Sequence, residues 1–222
     1  MINDFENSLI ENIDNQNDKE KEIISFLLSN GISAEKSKMI TEKFYYKFYN
    51  LYNIVNASKN ELIKIKGLGN KRAELLKSLP KILEYYLLSR LKLSTLHFNK
   101  KDFIDYLIIK FGKLKFEAFS IICLDINKRF ISIEQIFRGT IDSATIYPND
   151  LVEKSLSLGA SYVIISHNHP SGISKPSKED IEITKILYKA FLIVNIKMID
   201  HLIIAGDSIY SFRESGILDD LN

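Results

Sequence analysis

The alternation of apolar and polar positions changes its period near residue 97, and the chain divides there. From Glu20 to Asn30 the apolar residues Ile23, Ile24, Leu27 and Leu28 recur at helical spacing, and Gly31 supplies a stop. Ser33 is placed to cap a second helix whose aromatic residues Phe44, Tyr45, Phe48 and Tyr49 share one face, the pattern of core packing. Ser58-Lys59-Asn60-Glu61 is a capping-box sequence that opens a short helix through Ile65. A further helical stretch follows Asn70, is interrupted around Pro80 and runs to about Arg90. Residues 1–19, rich in Asn, Asp and Glu and without periodicity, read as a mobile or partly helical tail.

After His97 strands and helices alternate. Phe116 to Leu124 and Arg129 to Phe137 read as paired strands joined by the turn 125–128. A helix over Asp150 to Leu158, a short apolar strand over Ser161 to Ser166, a loop over 167–176 and a helix over Lys178 to Ala190 follow. Ile196 to Ala205 and Ile209 to Phe212 complete the sheet. The expected fold class is α+β: a small all-α domain over residues 20–92, then an α/β domain with a mixed sheet over residues 97–222.

Composition narrows the chemistry. With 45% apolar and 26% charged residues, the 222-residue chain can bury an ordinary core. The longest apolar run, Ala190 to Val194, is far short of the roughly 18 residues that span a bilayer. The first residues are acidic where a secretory signal is basic, so no membrane partner and a cytoplasmic location are expected. The lone Cys123 excludes an intrachain disulfide framework and a zinc site built from paired cysteines. Any metal chemistry must therefore use His, Asp and Glu.

Charge is uneven along the chain. Residues 1–34 carry −5, residues 35–101 carry +10 and residues 102–222 carry −3. Within the basic segment, Leu62 to Leu76 places two short helices around Gly67-Leu68-Gly69. Glycine permits positive φ there, so the first amides of the second helix can face an anion, with Lys66, Lys71 and Arg72 bracketing them. Such contacts read the phosphate backbone and not the bases, so the expected partner is DNA bound with weak sequence dependence. The segment resembles the helix-hairpin-helix DNA-binding motif.

The strongest signal lies at Ser166-His167-Asn168-His169-Pro170-Ser171-Gly172, followed by Ser177-Lys178-Glu179-Asp180. In extended chain His167 and His169 leave the backbone on the same face, and Asp180 falls in the first turn of the next helix. Two imidazoles and a carboxylate with an open fourth position form the donor set of catalytic zinc. Ser177 to Asp180 also reads as a capping box with Asp in place of Glu, so Asp180 has a purely structural reading beside the metal one.

The string His-x-His-Pro, six residues, Ser, two residues, Asp is similar to the signature of the JAMM (MPN) metalloprotease domain. Together with Phe137-Arg138-Gly139-Thr140 and Asp200-His201-Leu202-Ile203-Ile204, it resembles the bacterial RadC family, which carries a helix-hairpin-helix region before its JAMM domain. The resemblance implies one zinc ion per chain on His167, His169 and Asp180. It also implies Ser177 as a donor to the developing oxyanion and a glutamate from an early strand as general base. Glu117 best matches that glutamate, with Glu134 on the next strand as the competitor. Asp200 and His201 are candidates for contacts around the metal ligands or the substrate.

The implied activity is zinc-dependent hydrolysis of a peptide or isopeptide bond in an unidentified protein substrate, with a link to DNA repair or recombination. The alternative is a non-catalytic DNA-binding accessory protein with structural zinc. A zinc nucleobase deaminase is disfavoured, because its His-x-Glu and Pro-Cys-x-x-Cys elements are missing.

Overall fold

Capping side chains mark where the helices of the first half begin. In the structure, a computed structural model that describes residues 17–93, 100–139 and 146–219, α1 occupies residues 17–28. Residues 17–19 are thus helical, whereas the expected tail up to residue 16, and His97, lie outside the described residues. Ser33 caps α2 (Ala34–Phe48) by accepting the Lys36 amide at 3.3 Å, and Asn50 caps α3 (Leu51–Asn56) through the Asn53 amide at 2.9 Å. Ser58 and Glu61 form the reciprocal capping box of α4 (Lys59–Ile63). The long helix α5 (Gly69–Leu93) follows directly.

Two expectations are corrected here. Pro80 does not interrupt α5: it withholds one amide, but apolar packing holds the helix on both sides, with Leu76 and Leu79 in one cluster and Leu87 and Leu91 in another. Tyr49 is not part of the aromatic core face. It ends α2 at φ 72° and is 77% exposed, while Phe44 and Tyr45 are buried.

The chain divides into two compact units, Met1–Ile82 and Leu83–Asn222. The division falls inside α5, ten residues earlier than the junction expected after residue 92, because Leu87 and Leu91 pack with Phe103, Tyr106 and Phe111 of the second unit. The core of the first unit gathers Ile24, Leu28, Ile40, Phe44, Ile54, Leu62, Leu68, Ala73 and Leu76. Arg72 ties this unit together. Its guanidinium donates to the carbonyls of Leu28 at 2.8 Å, Asn30 at 2.6 Å and Leu68 at 3.3 Å, satisfying orphan carbonyls at the end of α1.

The second unit is built on a five-stranded mixed sheet among the described residues, in the order β2-β1-β3-β4-β5. Its strands are β1 (Glu117–Leu124), β2 (Phe130–Gly139), β3 (Tyr162–Asn168), β4 (Lys197–Ala205) and β5 (Ser208–Ser211). Only β3 and β4 run parallel, as expected for strands joined through a crossover helix. The β1–β2 turn is held by Asp125, whose carboxylate accepts the amides of Asn127 and Arg129, both at 2.8 Å.

Alternation then decides which helices cover which face. Phe119, Ile121, Cys123, Val163, Ile165 and Ile203 face α7 (Pro148–Ser157) and α8 (Lys178–Ile193). Ala118, Ile122, Leu124, Ile164, Leu202 and Ile204 face α6 (Lys100–Phe111) and the end of α5. The expectations above do not contain α6, although its buried Phe103, Tyr106, Leu107 and Phe111 recur at helical spacing.

Replacing Arg72 by Leu leaves the carbonyls of Leu28 and Asn30 without their charged donor. Amide exchange at Ile32, followed by NMR, is expected to accelerate at least about tenfold, equivalent to roughly 1.4 kcal/mol. The exposed Lys71, changed to Ala, should leave that rate unaltered.

Candidate metal centre

Three elements deliver the candidate ligands to one end of the sheet. His167 stands on β3, on the face covered by α8, with its ring stacked on Phe119. The strand runs through Asn168, so His167 belongs to the sheet and not to the expected loop. His169 follows where the chain leaves β3, and Asp180 sits at the third position of α8. His167 is 1% exposed and Asp180 is buried, while His169 is partly open.

The ligand atoms converge. His167 Nε2 and His169 Nε2 are 3.0 Å apart, His167 Nε2 lies 3.1 Å from Asp180 Oδ1, and His169 Nε2 lies 3.4 Å from Asp180 Oδ2. Ligands bound at about 2.0–2.1 Å in a tetrahedron stand about 3.3 Å apart, so these separations suit one small cation. Among the described residues His167, His169 and Asp180 are the one His, Cys, Asp or Glu cluster able to hold a metal.

Neighbouring hydrogen bonds settle which nitrogens face the cluster. Thr184 Oγ1 donates to the Asp180 carbonyl at 2.5 Å, so its oxygen accepts from His201 Nδ1 at 2.7 Å. His201 Nε2 then accepts from His167 Nδ1 at 2.8 Å. His169 Nδ1 donates to the Ile173 carbonyl at 2.8 Å. Both Nε2 lone pairs therefore point inward at each other, and a proton or a metal ion must lie between them.

The electrostatics of the metal-free state agree. The hydrogen bond to Asp180 raises the His169 imidazole above its ordinary range despite its burial. Burial alone would raise the Asp180 carboxyl, but the adjoining His167 and His169 imidazoles and the Ser177 hydroxyl outweigh it and hold the group well below the usual carboxylate range. His201, wholly buried and close to His167, is pushed well down and stays neutral, as the relay requires.

Asp180 is placed for both roles that its sequence position suggested. Its Oδ2 accepts from the Ser177 amide at 2.8 Å and hydroxyl at 2.7 Å, and its own amide donates to Ser177 Oγ at 3.0 Å, closing the capping box of α8. The other oxygen faces His167. Ser177 thus gives its single hydroxyl proton to Asp180 and anchors this third candidate ligand.

A cleft of about 330 Å³ opens over the cluster, lined by Glu117, His167, His169, Ser171, Ser177, Glu179 and Asp180. Of the two candidate bases, Glu117 lines this cleft. Glu134 pairs instead with Lys154 at 3.4 Å, opposite Ile121 in the register. Asp200 does not enter the cleft. It lines a larger cavity with Phe103 and Ile199, and accepts from the amides of His201 and Arg213 and the hydroxyl of Ser211. A family model described as a RadC-like JAB domain matches residues 98–217, which span the sheet and every candidate ligand.

The chain belongs to the RadC-like family. It is 33% identical over 198 residues to a UPF0758 protein of Methylibium petroleiphilum, covering 89% of each chain. It is 32% identical over 197 residues to a UPF0758 protein of Pseudoalteromonas translucida, covering 89% of this chain and 88% of the relative. Both likenesses extend well into the helical first unit of this RadC-like chain. No described helix is long and apolar enough to cross a membrane.

In the first unit, Gly67 at φ 99° and Gly69 at φ 74° turn the chain into α5, and Lys66 and Lys71 are exposed beside them. A Cβ on Gly67 would make only ordinary contact with Ile40 at 3.4 Å, so it is the positive φ that calls for glycine here. Arg72 parts from its expected role, since three of its donors are engaged by carbonyls within the chain.

Sequence reasoning missed Thr184, Glu179 and the structural part played by Asn168. Thr184 carried a readable signal: it lies four residues after Asp180, on the same face of α8.

The metal-free protein should show a pH signature of the His169–Asp180 pair. The depressed Asp180 contributes stability above its unfolded value near 3.8 and loses it as pH falls through the folded value. The raised His169 contributes below 6.5 and loses it as pH rises through its folded value. With chelator present, the melting-temperature advantage of wild type over Asp180→Asn is therefore expected to be greatest between about pH 4 and 6.5 and to shrink toward pH 8.5.

Proposed function

We propose that this protein is a zinc-dependent hydrolase of amide bonds, a peptidase or isopeptidase, guided to DNA by its helical first unit. The observation that carries the reading is the convergence of two inward-facing Nε2 atoms and a carboxylate beneath a cleft that Glu117 also lines. Zinc suits this nitrogen and oxygen donor set. When bound it would acidify water toward neutral pH and polarise a substrate carbonyl.

The remaining work falls to the chain's own side chains. Glu117 takes a proton from the attacking water and returns it to the leaving amine. His201 and Thr184 hold His167 in its ligating tautomer, the Ile173 carbonyl does the same for His169, and Ser177 holds Asp180. His167, His169 and Asp180 would supply three ligands and so leave a bound zinc open to water or substrate, whereas a purely structural zinc is usually closed by four. That open side favours catalysis over the accessory reading.

Elemental analysis of the purified protein is expected to find about one zinc per chain, and a folded His167→Ala, His169→Ala variant to lose it. A peptide screen should then find hydrolysis that Glu117→Gln lowers by at least about a hundredfold without releasing the metal. Zinc bound in full with Glu117→Gln as active as wild type would remove Glu117 from the chemistry. Wild type without metal, even after reconstitution, would end the hydrolase reading.

For the first unit, Lys66, Gly67, Gly69 and Lys71 are the proposed phosphate-contacting set, and DNA repair or recombination is the setting they suggest. Lys66→Ala and Lys71→Ala are each expected to weaken binding to duplex DNA of any sequence and to lower the slope of log affinity against log salt by about one. Equal slopes in wild type and the double variant would exclude the hairpin as the contact.

A further inference from the structure

Asn168 stands between the two candidate ligands and reaches toward a different strand. The backbone ladder between β1 and β3 ends at the pair Phe119 and His167. One residue later the Asn168 carboxamide takes over: Oδ1 accepts the Ala118 amide at 2.8 Å, and Nδ2 donates to the Phe116 carbonyl at 3.0 Å. The side chain is 1% exposed. It makes toward β1 the donor and acceptor pair that a peptide group makes in a sheet. Partners of opposite polarity also fix which end of the amide is oxygen.

These two bonds land on the residues immediately before and after Glu117. On its other edge β1 remains paired with β2, Glu117 lying opposite Gly139, and the Phe116 ring carries the Arg138 guanidinium at 3.9 Å. The main chain at Glu117 is therefore held from both sides at the point where β3 departs. That departure is needed, because His169 must leave β1 to meet His167 and Asp180, its own amide bonding the Ile204 carbonyl at 2.8 Å. A strand end that peeled away from β1 with nothing in its place would leave the Ala118 amide unpaired and the Glu117 backbone free to shift.

We propose that Asn168 is the positioning residue for Glu117, substituting for the missing ladder so that the carboxylate is presented to the cleft while β3 turns away to deliver His169. This rests on the reading of Glu117 as the proton carrier. Asn168 touches no reacting atom and acts through the β1 backbone.

The probe is zinc alone, added to metal-free protein labelled with ¹³C at glutamate carboxyls, with the Glu117 resonance assigned by its loss in Glu117→Gln. In wild type, zinc is expected to move this resonance. In Asn168→Leu, which matches the volume without the bonds, zinc content should remain at one per chain. The zinc-induced movement should then fall to less than about half, and Ala118 amide exchange should accelerate about tenfold or more. Asn168→Ser, which leaves room for a bridging water, serves should the leucine variant fail to fold, with the same direction expected. On a peptide from the screen, the variant should lower kcat about 10- to 100-fold with KM unchanged, a split that general loosening would not produce.

A Glu117 resonance that answers zinc in both variants as it does in wild type overturns the proposal. A wild-type resonance that ignores bound zinc instead overturns the role of Glu117 on which it rests, and so identifies that failure separately.

Discussion

Two imidazole lone pairs 3.0 Å apart cannot face each other across an empty gap, and the surrounding structure is arranged so that they must face each other. The Nδ1 protons of His167 and His169 are committed elsewhere, one to His201 and the other to the Ile173 carbonyl. Only positive charge between the Nε2 atoms, with Asp180 beside it, relieves the repulsion. Without metal that charge is a proton, and the neighbouring Asp180 carboxylate favours it, raising His169 while Asp180 itself is held low. The fold holds this arrangement with the sheet register, which pairs His201 of β4 with Ile165, two residues before His167 on β3 and within reach of its ring, and with the capping box that fixes the first turn of α8.

Much of this was legible in the sequence. The spacing of His167 and His169 on a strand end and the position of Asp180 after a helix-capping serine were enough to place the candidate ligands together. The ambiguity over Asp180 dissolved because a carboxylate has two oxygens: Oδ2 closes the helix and also lies near His169, while Oδ1 faces His167. Family likeness singled out Glu117 over Glu134, and the register shows the physical difference: Glu117 stands at the end of β1 beside the cleft, Glu134 beside Lys154.

What could not be read was whatever depended on contacts far apart in sequence. Arg72 looks like a phosphate ligand because it follows the glycine hairpin, yet its donors are taken by carbonyls more than forty residues earlier. Pro80 looks like a helix break until the packing on either side of it is known. The helix α6 is the contrary case, since Phe103, Tyr106, Leu107 and Phe111 carried a plain local period. Asn168 lies between these extremes: its place beside two histidines was visible, but its partners lie fifty residues upstream on β1.

The candidate ligands and the groups that orient them follow one another along a single stretch, from β3 through α8 to β4, in which His167 leads to Asp180, Thr184 and His201 and the hydrogen bonds close back on His167. Glu117 alone comes from outside that circuit. If the proposed function holds, grasping a cation and moving a proton are therefore separable properties of this architecture. On the proposed reading, a descendant that lost Glu117 through one substitution on β1 would give up its chemistry and still fold around the same ion, leaving a scaffold in which the metal is a structural element.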